Sequence, residues 1–331
     1  MTPTCAGPGC PEPALSFSRG CWNHTDRQAY PQALREGLAQ SAGALTLNLK
    51  RASLENVDLS QRDLSGSAFS QTRLNGCSFV GSVLAGCDFT AARVSNCDFV
   101  GADAPRASFA HATISLVSFS HADLTGALLA DAHLGETDFT GALLAGATLW
   151  NADLTGAKHI KKRSFGQAAA GVSEKDALPA CETYRSLKHY FYGAGLYEDA
   201  GWAAYRERRM ERLHYRRTGN PLYLPSLLMD ILSGYTEKPN RVILSSLGAI
   251  ILYGLLYYAL QVPQAVASPG GSVSVVDSVY FSFITFTTVG FGDFVPQPVA
   301  AFRLLVVTEA FMGPFMIGLY LFTLTRRYAA G

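Results

Sequence analysis

Apolar residues recur at every fifth position over much of the first half of the chain. From Leu49 to Leu154 this register holds through 22 consecutive units, and only Ala104 lacks a bulky side chain at the repeated position. The residue two places before each centre is usually small, and the intervening positions are mostly Asp, Asn, Ser, Thr and Gly. A period of five fits neither an α-helix nor a flat strand. The pattern predicts a solenoid whose stacked coils bury the repeated apolar column.

The second half contains two long apolar segments with a shorter one between them. Residues 242–262 carry no charge over 21 positions, which is about 31 Å as a helix and matches the hydrocarbon core of a bilayer. Residues 299–324 form a second apolar run, with Arg303 near its start and Glu309 inside it. Residues 277–286 are rich in aromatic side chains but too short to span. We expect two transmembrane helices and a re-entrant pore helix capped by Ser274 or Asp277.

The residues after the re-entrant helix have the chemistry of an ion filter. Gly290 and Gly292 let the backbone turn its carbonyl oxygens to one side, because residues without Cβ adopt left-handed dihedrals at little cost. Val289 and Phe291 alternate with them, and the Thr288 hydroxyl can add an oxygen ligand. This stretch closely resembles the potassium-channel signature, with Phe at the aromatic position. The resemblance implies an all-α two-transmembrane pore domain over residues 238–328 whose filter, residues 288–292, binds K⁺.

The same resemblance implies an assembly and supporting residues. One loop cannot line a pore alone, so four chains meet on a common axis in a homotetramer. Filter support is expected from Thr287, Asp293, Tyr280 and Glu309. Some family members carry a Glu at the position of Ile284 that pairs with the aspartate after the filter. Without that Glu, Asp293 needs another partner, and Tyr280 stands where an aromatic donor often lies.

The second apolar run contains a candidate gate. Gly313 and Pro314 combine a flexible residue with one that removes a backbone hydrogen bond, which kinks or hinges a helix. A glycine at this distance after the filter resembles the hinge of potassium-channel inner helices. Glu309 lies one turn earlier at membrane depth, so we expect it to face protein or water. It either lines the cavity or supports the filter from behind.

Basic residues near the apolar runs set the expected orientation. Lys238 and Arg241 precede the first run and Arg326 and Arg327 follow the second, whereas residues 263–273 carry no charge. The positive-inside rule then puts both termini in the cytoplasm. We expect a multi-pass protein of the cell inner (plasma) membrane, in contact with its lipids. No stretch near the N-terminus has the pattern of a signal peptide.

The five-residue units are similar to the pentapeptide-repeat family, as in Ala122-Asp123-Leu124-Thr125-Gly126. This resemblance covers residues 45–158 and implies a right-handed quadrilateral β-helix with four units per coil. Some members imitate DNA, but the 11 acidic and 6 basic residues between positions 49 and 157 make this repeat only mildly acidic. We therefore favour a scaffold for assembly, gating or an unknown cytoplasmic partner, and expect no nucleic acid. The small inward column includes Cys77, Cys87 and Cys97, which we interpret as core residues.

The N-terminal residues 1–30 contain a candidate metal site. Three thiols and an imidazole, with four, ten and two residues between successive members, can close a tetrahedral Zn²⁺ site: Cys5, Cys10, Cys21 and His24. This resembles small Cys₃His zinc knuckles and implies a structural zinc ion. The alternative is that unrelated cysteines occupy a disordered tail.

Residues 175–234 read as a helical linker. Residues 181–217 predict a hairpin that resembles a single tetratricopeptide unit, and such a unit cannot bury its own apolar face. Six arginines crowd its second helix, where anionic headgroups, solvent or another subunit could face them. Residues 222–232 are amphipathic and fit an interfacial helix.

Composition changes little in this picture. The net charge of +1 favours no particular partner, and no nucleophile-base arrangement or nucleotide loop points to an enzyme. We expect a mixed multidomain potassium-selective channel. A non-selective cation channel on the same pore domain, or a membrane-anchored pentapeptide-repeat adaptor, are the alternatives.

Overall fold

A computed structural model describes residues 3–41, 43–166, 177–267 and 270–328, with the side chains of 326–328 left out. The basic pair Arg326 and Arg327 therefore lies outside the described side chains, as do residues 1–2 and 175–176 at the starts of two predicted domains. The chain divides into two compact units, Met1–His214 and Tyr215–Gly331.

The first unit is built around a β-solenoid. Five short strands stack in parallel with Leu54, Leu74, Val94, Ile114 and Leu134 in register: β1 (Ser53–Glu55), β2 (Arg73–Asn75), β3 (Arg93–Ser95), β4 (Thr113–Ser115) and β5 (His133–Gly135). Successive partners are twenty residues apart, so each turn uses four five-residue units. Four turns separate β1 from β5, and parallel bridges extend the stack from Asn48 to Lys158. The predicted solenoid is confirmed.

Phenylalanines fill the solenoid interior. Phe69 stacks on Phe89, one turn away, with ring centroids 4.5 Å apart, and meets Phe79 edge to face at 5.7 Å. The same alternation continues to Phe139, because residues twenty apart share a column and residues ten apart face each other. Such aromatic pairs stabilise the interior beyond the contribution of the apolar area that their burial removes from water. Cys77, Cys87 and Cys97 are buried free thiols.

The N-terminal residues cover the first coil of the solenoid. Helix α1 (Tyr30–Gln40) begins with a proline in its first turn and buries Tyr30, Leu34 and Leu38 in the same core as Leu47 and Leu49. Hydrogen bonds reinforce this packing, since the Asn48 side chain donates to the Ala14 carbonyl at 2.7 Å. The apolar end of the solenoid, which would otherwise expose unpaired backbone groups, is closed.

A helical hairpin covers the last coil. A 3₁₀ turn (Lys162–Phe165) leads towards α2 (Ala177–Gly193), which packs its apolar stripe into the solenoid core through Tyr184, Leu187 and Phe191. Helix α3 (Tyr197–Thr218) returns along α2. Glu207 is buried between them and accepts hydrogen bonds from Arg185 at 3.0 Å and Lys188 at 2.6 Å. The tetratricopeptide-like hairpin thus buries its apolar face on the solenoid of its own chain.

The second unit is helical. Its elements are α4 (Tyr223–Ser233), α5 (Pro239–Leu260), β6 (Pro263–Ala265), α6 (Val275–Phe286), β7 (Phe294–Pro296) and α7 (Ala300–Tyr328). Helices α5 and α7 are long and apolar enough to cross a membrane, and only 22% and 17% of their most apolar windows are buried within the chain. A core helix of a soluble protein would be mostly buried. The segment predicted as one linker, residues 175–234, contributes helices to both units. Helix α2 packs on the solenoid of the first unit, and α4 packs on α5 of the second.

Candidate functional site: the loop between α6 and α7

Helix α6 starts at a capping box and packs tightly on both long helices. Ser274 accepts a hydrogen bond from the Asp277 amide, and the Asp277 carboxylate accepts one from the Ser274 amide, both at 3.2 Å. The two residues named as alternative caps therefore act together. Gly254 of α5 permits the close approach, because a Cβ there would lie 2.8 Å from Val279. The end of α6, and with it the loop that follows, is fixed against α5 and α7.

The backbone after α6 has a positive φ at every second residue. The φ angles of Thr288, Gly290 and Gly292 are 59°, 53° and 80°, whereas those of Val289 and Phe291 between them are not positive. Positive φ lies in the left-handed region, which L-residues with a side chain rarely adopt. A β-branched residue rarely adopts positive φ, so Thr288 is strained, as residues at functional sites often are.

The start of this loop is anchored to α6. The amides of Val289 and Gly290 donate to the Ile284 carbonyl at 3.0 and 3.3 Å, and the Thr287 hydroxyl donates to the Phe283 carbonyl at 2.7 Å. Downstream, β7 pairs in antiparallel fashion with β6, which follows α5. The loop is therefore held at both ends by elements of the second unit.

The middle of the loop has no cover within one chain. Val289 is 53% exposed and Phe291 is 72% exposed, although both are large apolar side chains. The loop therefore exposes two large apolar side chains that the described residues of one chain leave uncovered.

Tyr280 lies beside Asp293, the carboxylate for which the sequence predicts an aromatic partner. Asp293 is the main cause that raises the pKa of Tyr280. The Tyr280 ring also lies edge to face against Phe294, with centroids 6.0 Å apart. Ile284, four residues after Tyr280 on α6, is buried.

Glu309 is fully buried and joins three helices. The Tyr257 hydroxyl of α5 donates to its Oε2 at 2.7 Å, and Ser282 of α6 contacts its Oε1. Of the two roles considered for Glu309, lining a cavity and supporting the loop from behind, this geometry favours the second. Tyr257 and Ser282 were missed from the sequence, because an isolated hydroxyl within an apolar helix carries no signal of its partner 27 or 52 residues away.

Gly313 makes a close contact that sequence reasoning did not foresee. A Cβ at this position would lie 1.8 Å from the carbonyl oxygen of Phe286, which is the last residue of α6. Helix α7 runs continuously from Ala300 to Tyr328 through Pro314, which it carries inside. Gly313 thus has a packing requirement in addition to any role as a hinge.

The first unit brings the four predicted metal ligands together. Cys5 and Cys21 Sγ each lie 3.4 Å from His24 Nδ1, and Cys10 Sγ lies 3.7 Å from Cys21 Sγ. Tetrahedral zinc with bonds of about 2.3 Å to sulfur and about 2.0 Å to nitrogen separates its ligands by roughly 3.8 and 3.5 Å. All four ligand atoms lie within 4.8 Å of one another. The three shorter separations match this geometry, and the donor set suits a zinc ion.

Backbone groups prepare this cluster for a cation. The amides of Cys21 and Gly7 donate to Cys5 Sγ at 3.2 and 3.3 Å and lower the pKa of that thiol to about 6. Thiolate is the form that binds metals. Gly7 is required by space, since a Cβ there would meet the His24 ring at 2.7 Å.

Comparison with known proteins agrees with this architecture. Residues 246–330 match a family described as ion channels, and residues 52–90, 63–99, 82–120 and 122–158 match pentapeptide repeats. Over 122 residues the chain is 31% identical to Two-pore potassium channel 1 of Arabidopsis thaliana, covering 34% of this chain and 33% of that one. The chain thus spans about a third of the length of this curated relative.

Solved structures of pentapeptide-repeat proteins resemble part of the chain. One is from the thylakoid lumen of Arabidopsis thaliana, with 22% identity, a TM-score of 0.21 and coverage of 41% of this chain and 78% of that chain. Another is HetL of the cyanobacterium Nostoc, with 22% identity, a TM-score of 0.20 and coverage of 38% and 90%. The chain contains pentapeptide repeats followed by an ion channel domain, and is a membrane protein.

Proposed function

We propose that this chain, in which pentapeptide repeats precede an ion channel domain, forms a tetrameric potassium-selective channel. Residues 288–292 are the selectivity filter in this proposal, with Thr287, Asp293, Tyr280 and Glu309 as its support. Gly313 and Pro314 form the region where the inner helix bends on gating. K⁺ is the permeant ion, and we assign no enzymatic activity.

The alternating backbone of the filter supports this proposal most directly. Positive φ at Thr288, Gly290 and Gly292, every second residue of the stretch, supports a backbone whose carbonyl oxygens turn to one side, as dehydration of K⁺ requires. The C-terminal end of α6 leads straight into Thr287, so its partial negative charge favours a cation there. The uncovered side chains of Val289 and Phe291 support a homotetramer, in which neighbouring chains cover them.

The proposed setting is the inner (plasma) membrane with both termini in the cytoplasm. Lys238 and Arg241 at the start of α5 favour that side by the positive-inside rule. Arg241 donates to Asp230 of α4 at 2.6 Å, which ties α4 to the start of α5. Helix α4 presents Leu224, Leu228 and Ile231 outwards, and we place it at the lipid interface.

The proposed cofactor of the first unit is a structural zinc ion held by Cys5, Cys10, Cys21 and His24. Four protein ligands leave no open coordination position, so the ion stabilises the fold and does not catalyse. The pentapeptide solenoid then serves as a cytoplasmic domain for assembly, gating or binding of a partner, without nucleic acid.

Reconstitution of the purified full-length chain into liposomes tests the function. With K⁺ at different known concentrations on the two sides and NaCl making up the difference, we expect a reversal potential close to the K⁺ equilibrium value. A reversal potential near zero would favour a non-selective cation channel. No ion flux above that of protein-free liposomes would favour a membrane-anchored adaptor.

A further inference from the structure

Three polar side chains meet inside the second unit, away from solvent. Glu309, Ser282 and Tyr257 are each 0% exposed and lie on α7, α6 and α5, respectively. Tyr257 donates to Glu309 Oε2, while Ser282 Oγ contacts both Glu309 Oε1 and the Ile250 carbonyl oxygen, the latter at 2.8 Å. We refer to these three side chains as the Glu309 cluster.

Counting hydrogens in the Glu309 cluster constrains its protonation. A serine hydroxyl has one hydrogen to donate, and the carbonyl of Ile250 can only accept. If Ser282 donates its hydrogen to the Ile250 carbonyl, the Ser282 oxygen and an ionised Glu309 carboxylate would face each other as two acceptors, with no hydrogen between them. If Ser282 donates to Glu309 instead, its oxygen faces the Ile250 carbonyl unpaired in a buried site.

A protonated carboxyl resolves both conflicts. Glu309 then donates through Oε1 to Ser282, Ser282 donates to Ile250, and Tyr257 donates to Oε2. Every hydroxyl hydrogen has an acceptor, and no charge is left buried. We propose that Glu309 is a neutral, hydrogen-donating positioning residue that fixes α6 against α5 and α7.

The position of the Glu309 cluster gives it influence over the filter. Ser282 and Phe286 lie four residues apart on α6, as Glu309 and Gly313 do on α7, so the two helices meet at two successive turns. Ile284 lies between Ser282 and Phe286 on α6, and its carbonyl oxygen accepts hydrogen bonds from the amides of Val289 and Gly290. A rotation or shift of α6 would therefore displace the first carbonyls of the filter. This consequence rests on the proposed function, whereas the packing role does not.

Variants that remove one atom or one charge test the proposal in the full-length assembly. Glu309→Gln keeps the pattern, because its NH₂ can donate to Ser282 and its oxygen can accept from Tyr257. Glu309→Ala, Ser282→Ala and Tyr257→Phe each interrupt it. Tyr257→Phe and Ser282→Ala should add nothing further in the Glu309→Ala background, since they act through the same carboxyl.

The chain offers matched controls for both hydroxyls. Tyr253 lies one turn before Tyr257 on α5 and contacts Thr308, an exposed residue, at 3.1 Å. Ser278 lies one turn before Ser282, is equally buried, and its Oγ has no hydrogen-bond partner among the described residues. Tyr253→Phe and Ser278→Ala therefore change the same atoms outside the Glu309 cluster.

Hydrogen exchange of residues 275–293, followed by mass spectrometry, reports on α6 and the filter whatever ion the pore passes. We expect exchange about tenfold faster in Glu309→Ala, Ser282→Ala and Tyr257→Phe, and little change in Glu309→Gln or the two controls. Equally fast exchange in Glu309→Gln and Glu309→Ala would overturn the proposal that Glu309 is a neutral hydrogen donor. Tyr257→Phe behaving like Tyr253→Phe would overturn the positioning role.

Infrared spectroscopy addresses the proton directly. The difference between spectra of the wild-type assembly and Glu309→Gln should contain the carbonyl stretch of a protonated carboxyl group. A difference spectrum with only the carboxylate bands would refute the proposal. Reversal potentials of the same samples test the proposed potassium selectivity separately. The infrared and exchange results test the neutral Glu309, and they hold even for a non-selective pore.

Discussion

Two glycines of the second unit are required for different physical reasons. Gly290 has a φ of 53° and nothing within 4 Å of the position of a Cβ, so its requirement is conformational. Gly313 lies in a regular helix against the Phe286 carbonyl, so its requirement is space. Alanine at these positions should therefore have different effects.

We predict that Gly290→Ala abolishes K⁺ selectivity or conduction. Alanine disfavours the left-handed conformation by about 1 kcal/mol or more in each of four subunits, and the carbonyl would turn away from the ion path. The reversal potential in mixed K⁺ and Na⁺ measures the loss. Retention of full K⁺ selectivity by this variant would rule out the filter assignment.

We predict that Gly313→Ala lowers the stability of the assembly and disturbs the filter. The helices must separate to accommodate the methyl group, and overpacking of this kind costs typically 1–3 kcal/mol. Gly318 lies on the same helix with nothing within 4 Å, so Gly318→Ala is the matched control and should be neutral or mildly stabilising. Thermal unfolding of both variants provides the comparison. A Gly313→Ala assembly as stable as the control would contradict the packing role.

Sequence alone predicts residues of this kind unevenly. The glycines of the proposed filter are recognisable because backbone geometry favours their residue type and Val289 and Phe291 alternate with them in the sequence. Glu309 is recognisable because a carboxyl at membrane depth is costly. Its partners Tyr257 and Ser282 are not, since which faces of three separate helices meet is decided by tertiary packing. Gly313 is visible as a glycine, but its contact with Phe286 is not.

At the scale of elements, repetition decides what the sequence reveals. The solenoid was predictable because each unit repeats the same local solution and the register never slips. Its covers were harder, because α1 and the α2–α3 hairpin are single elements whose apolar faces match no repeat. The predicted zinc segment is joined to the first coil of the solenoid, since the Ser16 amide donates to the Asn48 carbonyl and the Asn48 amide donates to the Ser16 hydroxyl.

We predict that Pro314→Ala shifts the balance between open and closed channels without changing selectivity. Proline inside α7 removes one backbone hydrogen bond, a difference of about 3 kcal/mol in a helix interior before the surroundings discount it. Even about 1.4 kcal/mol changes a two-state ratio tenfold. Single-channel recording should show an altered open probability with an unchanged reversal potential. An unaltered open probability would indicate that Pro314 only shapes a static wall of the pore cavity and takes no part in gating.

We predict about one zinc ion per chain, lost in Cys21→Ser. Cys21 supplies a ligand and donates its amide to Cys5, so its replacement removes a quarter of the coordination shell. Residues 3–41 should then exchange hydrogen faster, because the metal no longer fixes the turns that precede α1. Cys181→Ser, at a buried thiol of α2, is the control and should keep its zinc. Wild-type protein purified without chelators and found free of zinc would exclude the site.

At the scale of the whole molecule, the second unit leaves much apolar surface uncovered. Helices α5 and α7 expose large side chains along their length, among them Leu244, Leu252, Leu304, Phe311 and Phe315. Lipid accounts for such residues on the outer faces of a membrane domain. It does not account for Val289 and Phe291 in the filter loop, which require protein around them if carbonyl oxygens are to surround an ion.

The number of chains around the pore can be measured by mixing subunits. If one Gly290→Ala subunit is enough to disable the filter, the remaining K⁺ current follows the fourth power of the wild-type fraction in a tetramer. Co-expression of equal amounts should therefore leave about one sixteenth of the wild-type current, because only that share of assemblies contains four intact loops. A dimeric pore would leave about one quarter, and independent single chains about one half.

Native mass spectrometry of the same preparation should count four chains and, with the proposed site filled, about four zinc ions. A residual current near one quarter, together with a mass of two chains, would contradict the tetramer while leaving the zinc site untouched.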